Sequence, residues 1–395
     1  MKSTRKTIKH YRWYLFTMVL MRGLAIPVSK IMWGFRRRLE QGPDTPSIII
    51  SNHNTNFDPA LIAVNFIRHI YFVASEHTFR HGFRSLFLKA VFAPIPINKA
   101  QADAFAMREI LHRLKAGYSV CIFAEGNHSF NGLTGHIPLS TAKLVKMSGA
   151  ALITHRFEGG YFTKPRWARK KRWGQMEGRL VCRYSAEELK TMTPDLILKV
   201  IERDIHEDAY ERQKEKSVRY KGKDRAENIE IILYLCPQCK KIGTIHSKGN
   251  HFSCTCGLKA EYTETGLLEG ENLTFTTITD WDKWQKEALT QIVSDAGNEP
   301  ICSDDNQQLF LVQSAVGNTF IAEGTMYISR TEFHCAGMGF PLPQIKRFTI
   351  LGKMTLFFTL NDGSQYEVRS ASPRSPLKYL EIMRTLRRDH GLFID

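Results

Sequence analysis

The stretch Ile48-Ile49-Ile50-Ser51-Asn52-His53-Asn54-Thr55-Asn56-Phe57-Asp58-Pro59 decides how the chain is read. The apolar run Ile48 to Ile50 reads as a buried strand. Asp58-Pro59 reads as a helix start, with Asp58 at the N-cap and Pro59 at N1. His53 therefore stands where a strand ends and Asp58 where a helix begins. A tight connection brings the two side chains within hydrogen-bond reach. A carboxylate beside an imidazole fixes its tautomer and favours its protonated form, as a general base taking a hydroxyl proton requires. The structural alternative is that Asp58 only caps the helix and His53 is a buried polar residue.

Outward from this stretch, residues 41 to about 209 alternate strand and helix. Strands are expected at 47–51, 70–74, 119–124 and 150–157, and helices at 58–66, 83–92 and 102–115. In the last helix Ala104, Met107, Leu111 and Leu114 fall on one face. The expected fold is an α/β layered domain with a largely parallel sheet flanked by helices. Catalytic groups on loops that leave strand ends fit such a sheet. A polar helix over about 185–214 closes the domain, and the charged segment 215–225 reads as a linker.

Some seventy residues after His53 comes Phe123-Ala124-Glu125-Gly126-Asn127-His128-Ser129, and Ile95-Pro96-Ile97-Asn98-Lys99 lies between. In order and spacing these blocks resemble the glycerolipid acyltransferase family over about residues 46–160. Its usual lysophosphatidate acyltransferase form has Asn-His-x4-Asp and then Phe-Pro-Glu-Gly-Thr-Arg-Ser. The first motif matches fully. The second keeps Phe123, Glu125, Gly126 and Ser129 but has Ala124, Asn127 and His128 for Pro, Thr and Arg. Lys99 replaces the Arg that usually ends the middle block.

The resemblance implies acyl transfer from a thioester-type donor, on coenzyme A or acyl-carrier protein, to a glycerol hydroxyl. It makes His53 the general base and Asp58 its orienting partner. Glu125, Gly126, Asn127, His128 and Lys99 become the substrate-binding set. The alternatives are a loop-capping carboxylate for Glu125 and a solvated lysine for Lys99. The expected acceptor is a lysophospholipid, 1-acyl-glycerol-3-phosphate first, with glycerol 3-phosphate or another lysolipid as alternatives. His128 sharpens that question, because arginine is forked and always charged, whereas histidine titrates near neutrality. The chemistry needs no organic cofactor.

The chain has 395 residues, enough for two or three domains. A hydrophobic content of 43% excludes disorder for most of it, and the net charge of +16 suits an anionic partner. Residues 1–40 read as N-terminal helices lying in a membrane interface. The apolar run 13–28 is interrupted by Arg22, and Trp33 precedes Arg36-Arg37-Arg38. The alternative is a terminal helix packed on the protein's own core. Lys164-Pro165-Arg166-Trp167-Ala168-Arg169-Lys170-Lys171-Arg172-Trp173 interleaves bases with Trp, as a phosphate-rich surface would require, or as a solvated loop would allow. A membrane-associated protein on the cytoplasmic face is expected. Nucleic acid is not the expected partner, although a zinc-ribbon nucleic-acid-binding protein is the rival from another class.

Cys236-Pro237-Gln238-Cys239 and Cys254-Thr255-Cys256-Gly257 make two knuckles with ribbon spacing. Four thiolates fill a tetrahedral zinc site and leave no place for a water nucleophile, so the metal is expected to be structural. Disulfides or free thiols are the alternative, and His246 and His251 are spare ligands. The expected domains are 41–214, the acyltransferase-like part, 215–268, the ribbon with its linker, and 269–395, mostly β. In the last, strands are expected at 309–313, 319–328, 332–335, 348–351, 354–360 and 365–369. A C-terminal helix begins at Ser375-Pro376. Strands followed by one helix are analogous to a pleckstrin-homology-type barrel.

Overall fold

Ile48, Ile49 and Ile50 are fully buried in a central strand of the computed structural model, which describes residues 2–40, 45–75, 94–97, 104–313 and 317–389. Two units divide the chain: Met1–Pro165 with Arg172–Lys221, and Arg166–Lys171 with Gly222–Asp395.

The first unit opens with a long helix α1 (Lys2–Trp33). There follow β1 (Phe35–Arg36), β2 (Ser47–Ser51), α2 (Asp58–Asn65), β3 (Ile70–Ser75), β4 (Ile95–Ile97), α3 (Ala104–Lys115) and β5 (Ser119–Phe123). Then come α4 (Leu139–Ser148), β6 (Ala151–Glu158), the single turn α5 (Gly160–Thr163), β7 (Met176–Tyr184), α6 (Ala186–Thr191), α7 (Pro194–Ile205) and α8 (Ala209–Lys216). The sheet order is β1-β7-β6-β2-β5-β3-β4, and every pair is parallel except β6–β7.

Helices cover both faces, which is why β2 is apolar at every core position rather than alternating. Ile48 and Ile50 join Ile110, Leu114, Val145, Ile197 and Ile201 on one side. Ile49 joins Leu61, Ile62, Phe72 and Trp33 on the other. Strand β2 lies between β5 and β6, so the connections leaving its C-terminal end diverge there, the place where such sheets carry their sites.

Three expectations are corrected here. Residues 185–214 are not one polar helix. Ser185, Thr193 and Asp208 each cap a new start with a side-chain oxygen, and Pro194 takes the first turn of α7. Helix α7 is not polar all round either, for Ile197, Ile201 and Ile205 form a buried stripe. The segment 215–225 is not a free linker, because Tyr220 is buried and Lys221 exchanges main-chain hydrogen bonds with Trp173. Strand β7, antiparallel to β6, was not expected; its Arg179 and Arg183 break the apolar pattern. Residues 2–40 hold the one helix α1 and the short strand β1 rather than a set of helices. The expected helix at 83–92 lies outside the described residues.

In the second unit β8 (Ile245–Lys248), β9 (His251–Cys254), β10 (Lys259–Tyr262) and β11 (Leu268–Glu269) form a small antiparallel sheet. After α9 (Ile278–Asp295) come β12 (Cys302–Gln313), β13 (Gly317–Ile328), β14 (Glu332–Cys335), β15 (Met338–Pro341), β16 (Ile345–Leu351), β17 (Thr355–Leu360) and β18 (Gln365–Ser370). Their order, β15-β14-β13-β12-β18-β17-β16, is two antiparallel meanders joined through β12 and β18. The turn at Asn361-Asp362-Gly363 closes β17–β18, with Gly363 at φ 91°. Helix α10 (Pro376–Asp389) buries Tyr379, Met383 and Leu386.

The Trp-rich basic run is corrected in part: Lys164, Arg169, Lys170 and Lys171 are exposed as expected, but Trp167 is not a surface aromatic. Trp167 is fully buried with its ring 5.4 Å from that of Tyr262, and Arg166 donates to the carbonyls of Gly352 and Ile350. Arg172, in the first unit, is buried as well. Only Trp173, 53% exposed, faces outward as a surface reading of the tryptophans requires.

Candidate active site and metal centre

The loop after β2 is held by side chains that stand in for a strand ladder. Asn52 donates to the Phe157 carbonyl at 2.8 Å and accepts from the Phe157 N–H at 2.7 Å. That fixes the next residue, His53, beside the end of β5. The His53 N–H donates to Glu125 Oε1 at 2.7 Å, and its Nδ1 lies 2.9 Å from Asp58 Oδ2. With Nδ1–H donated to Asp58, the basic lone pair is on Nε2. The ring stacks on Phe123 at 4.4 Å and meets the edge of His128 at 4.1 Å between centroids.

Asp58 does not cap its own helix; Phe57 holds the cap position, with no side-chain bond. The Asp58 carboxylate turns back instead. Its Oδ2 accepts from the N–H groups of Asn54 at 2.6 Å and Thr55 at 2.9 Å, and its Oδ1 from Thr55 Oγ1 at 2.6 Å. Burial pushes this carboxyl up to about 6, against the pull of Thr55, His128 and the Asn54 amide.

Two residues missed at the sequence level hold the far end of α2. Arg22 donates to the carbonyls of Ala63, Phe66 and Ile67, and Arg37 donates to Val64. An acidic first turn and basic groups on the last carbonyls both complement the helix dipole. The arginine that interrupts the apolar run thus has a partner in the fold.

Glu125 spends both oxygens on main chain, Oε1 on His53 and Oε2 on the Gly135 N–H at 2.5 Å. Those bonds fit a loop-fixing carboxylate. Desolvation raises it to about 8, with Glu207 and Asp58 pushing the same way. Gly126, at φ 68°, turns the chain and donates its N–H to Phe123 O at 3.1 Å. Asn127 is exposed on this turn and His128 is half-buried at the His53 ring. Lys99 lies outside the described residues. Glu207, also missed, accepts from Asn54 Nδ2 at 2.7 Å and from the Gly159 N–H at 2.6 Å. It sits between α7 and α8, where no motif marked it.

In the second unit the four cysteines Cys236, Cys239, Cys254 and Cys256 bring their sulfurs within 4.8 Å of one another. Cys236–Cys256 and Cys239–Cys254 are each 3.7 Å apart, and all eight cysteines are free of disulfides. A tetrahedron with Zn–S bonds of about 2.3 Å has S···S edges of about 3.8 Å, so these thiolates fit a zinc ion. His246 and His251 do not join the cluster. A metal here would tie the knuckle after Leu235 to the β9 end and stabilise the small sheet.

Residues 35–162 match the family model described as Acyltransferase. Among solved structures, the chain is similar to the 1-acyl-sn-glycerophosphate (LPA) acyltransferase PlsC from Thermotoga maritima. The two are 14% identical with a TM-score of 0.40, over 52% of this chain and 81% of that one. No curated protein matches the chain.

Proposed function

From the acyltransferase domain that residues 35–162 form, we propose that the chain moves a fatty acyl group from a thioester donor to a glycerol hydroxyl of a lysophospholipid at a membrane surface. The observation that carries this reading is the His53–Asp58 pair at 2.9 Å, at the C-terminal end of the central strand and inside the matched segment. His53 Nε2 takes the hydroxyl proton as the oxygen attacks the thioester carbonyl. The tetrahedral adduct collapses, the C–S bond breaks, and the imidazolium returns its proton to the leaving thiolate. Asp58 stabilises the imidazolium in between. The donor is coenzyme A or acyl-carrier protein. 1-Acyl-glycerol-3-phosphate is the first acceptor to test, with glycerol 3-phosphate and other lysolipids beside it because His128 stands where the family pattern has Arg. Zinc at the cysteine cluster is structural in this scheme.

Support for membrane association comes from α1. Trp13, Phe16, Leu20, Leu24 and Ile31 lie exposed along one face of it. Among the described residues no helix is long and apolar enough to cross a membrane, and the proposed contact is that exposed apolar face lying on the surface. Burial of Trp167 weakens the nucleic-acid alternative, since the basic run then offers no alternating aromatic face.

The test is full-length protein assayed against lysolipids and glycerol 3-phosphate with both donor types, beside His53→Ala. We expect turnover with at least one lysolipid and a loss on the order of 10² or more in the variant. Vesicle flotation and duplex binding over a salt range accompany it. No turnover with any acceptor, or an active His53→Ala protein, rejects the proposal.

A further inference from the structure

We propose that Glu207 is a positioning residue for the His53–Asp58 pair, acting by clamping the Asn54 side chain so that the loop carrying His53 is held in place. This rests on the acyl-transfer reading and extends it to a residue beyond the segment 35–162.

Glu207 is 5% exposed, and its oxygens face N–H donors. Oε2 accepts from Asn54 Nδ2 at 2.7 Å and from Asn52 Nδ2 at 3.4 Å, and Oε1 accepts from the Gly159 N–H at 2.6 Å. Its main chain is tied as well. The Glu207 N–H donates to Thr134 Oγ1 at 2.8 Å, and the Thr134 N–H donates to Glu207 O at 3.0 Å. One residue on, Gly135 donates to Glu125, which holds the His53 N–H. A single side chain and its backbone thus join the loops that follow β2, β5 and β6. Packing there is tight, for a Cβ at Gly160 would lie 2.7 Å from the Cβ of Asn54.

A carboxylate is a costly way to fill such a place, because burying a charge is unfavourable unless donors meet it. What it adds over an apolar side chain is acceptors aimed at both residues flanking His53. Asn54 is the transmitting link. Its side chain is on Glu207, and its N–H is on the Asp58 oxygen that also holds His53 Nδ1. The charged groups facing Glu207 are Arg212 on α8, Glu158 on β6 and Glu125 on the loop after β5.

Glu207→Gln keeps the volume but turns an N–H₂ group toward either the Gly159 N–H or the Asn54 amide. The experiment compares wild type, Glu207→Gln, Asn54→Ala and the double variant as full chains. It uses 1-acyl-glycerol-3-phosphate and acyl-coenzyme A, with rates normalised to folded protein. Glu207→Gln should lower kcat by about 10- to 100-fold with acceptor KM within about threefold. The double variant should be no slower than the slower single one, because both remove the same link. A purely structural role predicts a lower Tm with kcat per folded molecule unchanged. Proton NMR of the downfield His53 Nδ1–H supplies a readout that needs no turnover, and in Glu207→Gln that resonance should shift or vanish. If wild type transfers no acyl group, the reading of function fails and the resonance alone decides the positioning role. A kcat within twofold of wild type, multiplicative single effects, or, where wild type shows no turnover, a His53 resonance in Glu207→Gln unchanged from that of wild type overturns the inference.

Discussion

Asp58 separates stability from chemistry in one position, so its two simplest variants should behave differently. The carboxylate meets four donors: His53 Nδ1–H, the N–H groups of Asn54 and Thr55, and Thr55 Oγ1. In Asp58→Ala the hydroxyl can rotate, but three N–H donors are left without an acceptor. At about 1–3 kcal/mol each, that is a loss of roughly 3–9 kcal/mol. A domain has about 5–15 kcal/mol in total, so this variant should be largely unfolded. Asp58→Asn can keep its oxygen at the Oδ2 position and give its N–H₂ to Thr55 Oγ1, which then accepts. Three charge-assisted bonds become neutral ones, a loss of about 1 kcal/mol each. Against this, burial holds the wild-type carboxyl near 6 rather than 3.8. That upward displacement is what remains after those hydrogen bonds have acted, so desolvation of the charge outweighs what they return and a neutral amide is relieved of it. The two terms offset, and the Tm of Asp58→Asn should lie within a few degrees of wild type. Its kcat should fall on the order of 10² or more, since no negative charge then stabilises the imidazolium. Thermal unfolding by circular dichroism and initial rates on the same preparations decide it. An Asp58→Asn protein with kcat within threefold of wild type, or an Asp58→Ala protein as stable as Asp58→Asn, would refute the reasoning.

Arg22→Leu lengthens the apolar run but strips three carbonyls of their donor, so turnover should drop about tenfold while vesicle flotation holds or improves. Lost flotation with normal turnover would show that Arg22 serves the surface and not α2. Burial raises Glu125 to about 8, so the folded state holds its proton more tightly than the unfolded chain. Its contribution to stability is then full below the usual carboxylate range and lost as pH climbs through about 8. The Tm of wild type minus that of Glu125→Gln should therefore shrink from pH 5 to 9, and a gap that widens contradicts the assignment. Full-length protein purified without added metal should carry one zinc per chain by elemental analysis, and Cys239→Ser should lose it and become protease-sensitive over 235–258. Immediate loss of turnover on chelation with the fold intact would make the metal catalytic instead.

The parts legible in the sequence were those with a local cause. A run of three isoleucines can only be a doubly covered strand or part of a buried helix, and Asp58-Pro59 settles the direction. Two cysteine knuckles carry their geometry in their spacing, and the sulfurs do meet. Asn361-Asp362-Gly363 declares its turn because only glycine sits easily at φ 91°. What stayed hidden depends on residues far apart in the chain. Trp167 between basic residues looks like a surface aromatic until Tyr262, almost a hundred residues later, covers it. Glu207 stands among Asp, Glu and Arg residues that in sequence look like an ordinary helix surface, and its partners are Asn54 and Gly159. The pairing of Asp58 with His53 is legible from their spacing, but the cap is a local rule that fails here: Phe57 holds the cap position and the carboxylate turns back to Asn54 and Thr55 as well.

Helix α1 shows how one segment satisfies two demands that composition alone sets against each other. An arginine inside an apolar run is costly in the centre of a bilayer, on the order of 3 kcal/mol even on the lenient scale. Yet Arg22 has partners in the fold, since it grips the last carbonyls of α2. Arg22, Ile26, Ser29 and Trp33 recur every three or four residues, all wholly or partly buried, and so form one face toward the domain. Trp13, Phe16, Leu20, Leu24 and Ile31 recur with the same period on the opposite face, and all are exposed. Trp33 then meets Phe57, the residue just before Asp58, with ring centroids 4.6 Å apart. The inner face of α1 thus touches both ends of α2, the arginine at its C-terminus and the tryptophan at its start. Any lipid surface that holds the outer face also holds the helix that orients Asp58. Deleting α1 to test membrane binding would therefore remove a support of the His53–Asp58 pair, and the informative perturbation is to exchange outer-face residues such as Leu20 and Leu24 for polar ones.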